Sequence, residues 1–195
     1  KRQILRILNN FRQWRIAGHI KRKEEKGMSL MTIRREHDGS VVLAGINGFL
    51  FGQLKLLPEL GCPDERVSDV FFQPLTDGLG DELADMNRDW EEFVVPDLSE
   101  QFAAVRGRIA EDLMRAEAAG VQHDGKYEIR ISEEHVWDWI HGVNQVRLAI
   151  EARYKRLSEE KWGGLTEEEW NEEQAITYFR MGVFGEILEC LIAIS

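Results

Sequence analysis

The sequence predicts a mainly α fold with a minor β part. The expected architecture is a helical bundle with a C-terminal antiparallel helix pair and a small two- or three-stranded antiparallel sheet. Two long segments, one from Ser132 and one from Thr166 to the chain end, hold apolar residues at helical spacing for many turns. Short alternating runs flank an Asp38-Gly39 pair, which is a hairpin signal. An apolar share of 43% and a charged share of 31% over 195 residues suit one soluble globular domain with a proper core.

In chain order, Ile4, Ile7, Leu8, Phe11 and Trp14 form a helical stripe set among Lys and Arg. Residues 1–27 hold nine Lys and Arg against two Glu, a net +7, whereas the rest holds 16 basic and 33 acidic residues, a net −17. This gives a division into a basic amphipathic N-terminal helix or leader (1–27) and a single mostly helical domain (28–195). Met28-Ser29-Leu30-Met31 reads as a translation start, which supports the leader option. Trp14 with Arg12 and Arg15 is a candidate partner surface for nucleic acid, an anionic surface or a protein groove. The acidic body repels phosphate, so nucleic acid is the disfavoured partner.

Met31 to Leu43 then reads as a hairpin turning at His37-Asp38-Gly39-Ser40. A helix from Asn47 carries Phe49, Leu50, Leu54 and Leu57 and ends at Pro58 or Gly61. Residues 61–80 form the least regular stretch. Asp81 to Phe93 reads as a helix broken at Val94-Val95-Pro96, because the residue before proline disfavours the α region. Asp97 or Ser99 caps the next helix, with Phe102, Val105, Ile109, Leu113 and Ala116 on its stripe and Gly120 at its end. Tyr127 to Ile131 alternates as a strand expected to join the hairpin.

Ser132 is the expected N-cap of a helix with Val136, Trp139, Ile140, Val143, Val146, Ile150, Tyr154 and Leu157 in line. Thr166 to Glu169 forms a capping-box pattern for the last helix. That helix turns Trp170, Ile176, Phe179, Val183, Phe184, Ile187, Leu191 and Ile194 inward. Short connections make consecutive helices antiparallel neighbours.

One residue breaks each of these apolar lines. Arg147 interrupts the first and Glu186 the second, and antiparallel pairing brings Arg147 opposite about Val183, one turn from Glu186. A buried guanidinium needs an acceptor, so the expectation is an Arg147–Glu186 salt bridge with Asn144 beside it. That seam either fixes helix register or lines a small-anion or ligand pocket. Glu134, Asp138 and His141 share a helix face, but such a face is usually solvated and no metal site is assigned. His37 and His123 each precede Asp-Gly in turns. Glu159, Glu160, Glu167 to Glu169, Glu172 and Glu173, with Trp162 and Trp170, read as the charged start of a helix or a docking patch for a basic partner.

Known catalytic signatures are missing from the sequence. Gly78-Leu79-Gly80-Asp81 lacks the spacing and lysine of a phosphate loop, and no Gly-x-Ser-x-Gly or Cys-x-x-Cys occurs. Cys62 lies in a Gly-Cys-Pro turn and Cys190 on an apolar helix flank, which fits a reducing, cytoplasmic compartment. No stretch matches a membrane span or a signal peptide.

The C-terminal half resembles the family called domain of unknown function 2017, found mainly in actinobacteria. Trp139, Asn144, Arg147, Leu148, Ala149 and Ile150 match its first helical motif, and Tyr178, Gly182, Glu186 and Leu188 its second. Phe184 and Gly185 depart from that pattern, which has leucine and glutamine there. The resemblance implies a mostly helical fold and no activity. Family genes often lie near an adaptor of a Clp-type protease, which implies a link to proteostasis by association only. The resulting expectation is a non-enzymatic interaction or regulatory protein without cofactor, acting on an unknown protein partner or a second copy of itself.

Overall fold

The computed structural model describes residues 31–73, 84–122, 124–154 and 171–195. The chain opens with strands β1 (Thr32–Arg35) and β2 (Val41–Ile46). Helices α1 (Gly48–Leu54), α2 (Leu57–Leu60), α3 (Glu65–Phe71) and α4 (Ala84–Asp89) follow. A π-helical turn, Trp90–Val94, leads into the long α5 (Val95–Ala119). Strand β3 (Tyr127–Ile131), a 3-10 turn (Glu133–His135), α6 (Val136–Tyr154) and α7 (Glu172–Ile194) complete it. This is the mainly helical fold with a small antiparallel sheet that the sequence predicts.

The hairpin forms as expected, with Arg35 opposite Val41. Gly39 takes a φ of +80°, the left-handed region that favours glycine, while the only atoms a Cβ there would meet belong to the exposed Glu133 carboxyl group, which can swing aside. β2 lies in the middle of the order β1-β2-β3, with Val41 facing Ile131 and Leu43 facing Ile129. Val41, Val42 and Leu43 are all buried, as a contiguous apolar run in a covered central strand requires. Arg35 ties this sheet to the end of α7, its Nη1 donating to the carbonyls of Ile194 and Ser195 at 2.9 and 3.0 Å.

Several boundaries differ from expectation. Asn47 does cap a helix, its side chain accepting from the Leu50 N–H at 2.9 Å. Pro58 starts α2 rather than ending α1, because a helix's first turn has no use for the missing N–H. The stretch from Gly61 is more regular than expected, since it contains α3. The predicted break at Pro96 is a widened π turn that passes straight into α5, so the chain stays helical where proline removes one hydrogen bond. Ser132 holds the cap position, but its side chain makes no capping bond, and a 3-10 turn precedes α6. The last helix starts at Glu172 with a complete capping box of Asn171 and Gln174. The expected basic helix of residues 1–27, the turn at His123, the Thr166–Glu169 box, Leu157, Trp162 and Trp170 lie outside the described residues.

α6 is the hub. It packs on α2, α3, α5 and α7. Gly142 lets α5 come close: a Cβ there would collide with Ile109 Cδ1 and stand 3.1 Å from Val105 Cγ1. The pairing with α7 is antiparallel. Tyr154 at the end of α6 donates to Glu173 at the start of α7 at 2.9 Å, while Arg147 lies against Gly185 further along. Arg153 fastens α6 to the loop after α2, its guanidinium donating to the carbonyls of Leu60 and Cys62 and to Asp64.

Candidate functional site: the seam and outer face of α6

Arg147 sits half-buried at the α6–α7 seam, as its place in the apolar line predicts. Its surroundings differ from the prediction. The Nε is buried without a hydrogen-bond partner and lies 3.9 Å from where a Gly185 side chain would begin. No salt bridge joins Arg147 to Glu186 among the described residues. Glu186 is half-buried, and its charge reaches Cys190 one turn on. Asn144 is exposed, because the 3.6-residue turn carries it roughly 60° round from Arg147 toward solvent. The three residues named from sequence therefore share a region, but the predicted ion pair does not form.

A second cluster, missed in the sequence, lies where α5 packs on α6. Asp112 of α5 has a side chain with no solvent exposure. Its Oδ2 accepts from Trp139 Nε1 at 2.8 Å, its two oxygens face His135 Nδ1 at 3.1 and 3.2 Å, and Arg115 Nη2 donates to Oδ1. Facing a carboxylate, His135 Nδ1 is the donor. A buried carboxylate is tolerable when its acceptor sites are filled in this way. One signal was available: Asp112 stands three residues after Ile109 and four before Ala116, on the same buried arc. The reasoning that singled out Arg147 applies equally there.

The third feature is the outer face of α6. Trp137, His141, Asn144 and Leu148 follow at helical spacing and all are exposed, Trp137 by 61% and Leu148 by 39%. The Trp137 and His141 rings lie 6.1 Å apart, tilted by 33°. Asp138 is held by Arg108 Nε at 2.7 Å, so the Glu134, Asp138 and His141 face is not a set of free ligands. Among the described residues no group of three His, Cys, Asp or Glu is placed to hold a metal. Trp14, Arg12 and Arg15 lie outside the described residues.

Local electrostatics follow from the same contacts. Hydrogen bonds from the Ser40 hydroxyl and backbone N–H, at 2.6 and 3.0 Å, hold the Asp38 carboxyl below the usual carboxylate range, with Arg130 adding to the effect. Burial draws the Arg180 guanidinium below its ordinary value, while its Nε donates to Gln53 Oε1 at 2.8 Å. Burial pushes the Cys190 thiol up, and the Glu186 and Glu189 charges add to this. No helix among the described residues is long and apolar enough to cross a membrane.

These features define a mainly helical domain assembled around one central helix, with its polar groups concentrated at that helix's seams. A family model described as Domain of unknown function (DUF2017) matches residues 51–194, and the chain belongs to that family. The match covers every described element from within α1 to the end of α7 and leaves β1 and β2 outside. Neither any curated protein nor any solved structure matches the chain.

Proposed function

We propose that this protein acts by binding another protein chain in a regulatory role, without catalysing a reaction, and that it does so in the cytoplasm. The observation that carries the reading is the outer face of α6, where Trp137, His141, Asn144 and Leu148 form one exposed stripe on the best-anchored helix. Tryptophan is a favoured interface anchor, and a rigid helix presents it without an ordering cost. The engagement of Asp112 by Trp139, His135 and Arg115 supports a structural role for the buried acid–imidazole pair. Family association suggests proteostasis as the process regulated.

A photo-crosslinking residue at Leu148 of the full chain, expressed in the host cell, tests this. The expected result is a discrete adduct that disappears with Trp137→Ala and persists with Phe93→Ser, a change at another exposed apolar residue. Adducts that ignore Trp137 would overturn the reading.

One observation favours a second reading, a small-anion site at the seam. Arg147 keeps a buried Nε–H with no acceptor, beside the space left by Gly185. A carboxylate or phosphate drawing this guanidinium outward would satisfy it. Titration of the full chain with inorganic phosphate should then raise its melting temperature, and Arg147→Met should abolish that rise. The basic segment 1–27 offers a third route, to nucleic acid or anionic surfaces. Its test is salt-sensitive binding that vanishes when the segment is deleted.

A further inference from the structure

Helix α7 is apolar round almost its whole circumference. From Gln174 to Ile194 only Arg180, Glu186 and Glu189 carry charge, and a helix of that composition is covered on every side in folded proteins. Among the described residues its main neighbours are α6 and β1, with Phe49 of α1 against Phe179 and Gln53 against Arg180. Phe179, Val183, Ile187 and Leu191 are buried on that inner side. The remaining sector, about 100° wide, carries Tyr178, Met181, Gly182, Gly185, Glu189 and Ile192. Ile192 is 58% exposed, Glu189 is exposed and the other four are half-buried. Two glycines about one turn apart put a notch in the middle of this sector. Among the described residues, the one atom within 4 Å of a Cβ built at Gly185 is Arg147 Nε, at 3.9 Å.

The chain that precedes β1 is placed to cover this sector. Met31 is buried in the common core, β1 packs on α7, and Arg35 at the far end of β1 reaches the carbonyls of Ile194 and Ser195. Residues 1–30 therefore join the body at a strand in contact with α7. The 16 residues from Arg15 to Leu30 span up to about 50 Å. That exceeds the roughly 34 Å of the whole helix, so reach is no obstacle. The chemistry matches as well. Ile4, Ile7, Leu8, Phe11 and Trp14 offer an apolar stripe of helical spacing, and residues 1–27 carry nine Lys and Arg against two Glu. The α7 sector offers an apolar notch with Glu186 and Glu189 at its rim.

We infer that the N-terminal segment packs on the outer sector of α7 of its own chain, as an amphipathic helix over residues 4–15. Phe11 and Trp14 fill the notch at Gly182 and Gly185, while Arg12 and Arg15 lie along the acidic rim. An indole laid over Gly185 also gives the Arg147 guanidinium an aromatic face, which attracts cations. This sector is separate from the exposed stripe of α6, so a partner at α6 and the segment at α7 bind independently.

Trypsin digestion of the full chain tests this. The bonds after Arg12 and Arg15 should survive a dose that cuts after Lys21, Arg22 and Lys23, because a protease reaches a packed segment only when it lifts off. Relative to those reference cuts, Trp14→Ser and Glu189→Lys should each speed cleavage after Arg12 and Arg15 at least roughly fivefold. Glu151→Lys, at an exposed acid of α6, should leave the pattern unchanged. A photo-crosslinking residue at Phe11 should join α7 between Tyr178 and Ile192, and the product should run as a single chain under denaturing conditions. Cleavage after Arg15 as fast as after Lys21, indifference to Glu189→Lys, or adducts on other elements would overturn the inference. An adduct of two chains would do the same, since it would put the segment on the α7 of a second copy.

Discussion

Trp139 donates its indole N–H to Asp112 at 2.8 Å across the α5–α6 interface, and the side chains at both ends of that bond are withdrawn from water. The bond joins two long helices at a fixed height, and His135 and Arg115 close around the same carboxylate. A carboxylate so placed is stabilising only while its partners are present.

Asp112→Ala should therefore destabilise the fold by about 3–5 kcal/mol, since it strands the buried indole N–H and opens a void beside it. Asp112→Asn, which keeps one acceptor, should cost roughly half as much. Urea unfolding followed by tryptophan fluorescence measures both. An Asp112→Ala protein as stable as the parent would show that the node contributes nothing to the fold.

Gly142→Ala is expected to be harmful although alanine is the better helix former. The gain in helix propensity is about 1 kcal/mol. Against it stands a methyl group driven into Ile109 Cδ1 and held 3.1 Å from Val105 Cγ1, with both neighbours buried. Overpacking of this kind costs about 1–3 kcal/mol, so a net loss of up to about 2 kcal/mol should appear as a lower melting temperature. Ile109→Val in the same chain should recover part of it, and no recovery would locate the strain elsewhere.

Arg147→Met should be close to neutral, within about 1 kcal/mol, because it keeps the apolar stem and removes an N–H that has no acceptor. A loss above about 2 kcal/mol in denaturant titrations would reveal an ion pair worth keeping.

The two cysteines should separate in reactivity. Cys62 is exposed, whereas Cys190 is half-buried and its thiol is held above the usual range by burial and by Glu186 and Glu189. A folded value above the unfolded one means that the neutral thiol stabilises the fold. That contribution is complete below the unfolded value and is lost as pH rises through the folded one. Near pH 8, a disulfide reagent should modify Cys62 at least roughly ten times faster than Cys190. Glu186→Gln should narrow the gap, and equal rates in the parent protein would contradict this placement.

Periodicity and turn chemistry carried much of the fold. Asp38-Gly39 announced the hairpin, the alternation of Tyr127 to Ile131 announced the third strand, and the line from Val136 to Ile150 announced the hub helix. Short elements escaped. α3 spans seven residues, too few for a helical period to stand out, and Pro96 was absorbed by a π turn where a break was expected. At the candidate site, the helical wheel put Arg147 in the apolar line of α6 but could not give the direction of its flexible side chain, which is half-buried. It lies against Gly185 without a salt bridge to Glu186. Asp112 was equally visible on its own wheel, flanked by Ile109, Leu113 and Ala116, but its partners come from another helix, which no single-helix pattern displays.

The position of β2 in the sheet has a consequence for folding order. Val41 pairs with Ile131 and Leu43 with Ile129, so the central ladder joins residues 90 and 86 positions apart in the sequence. During synthesis the first hairpin must wait for α5 and β3 to emerge before its inner edge is covered, and such non-local closure slows folding. A protein trimmed to begin at residue 51, where the family match starts, would lack β2 altogether. It would present β3 as an open edge beside the uncovered Ile129 and Ile131, the template on which strands from other molecules add. Aggregation on removal of the first 50 residues would therefore report the loss of the β1–β2 hairpin and of the cover it gives β3.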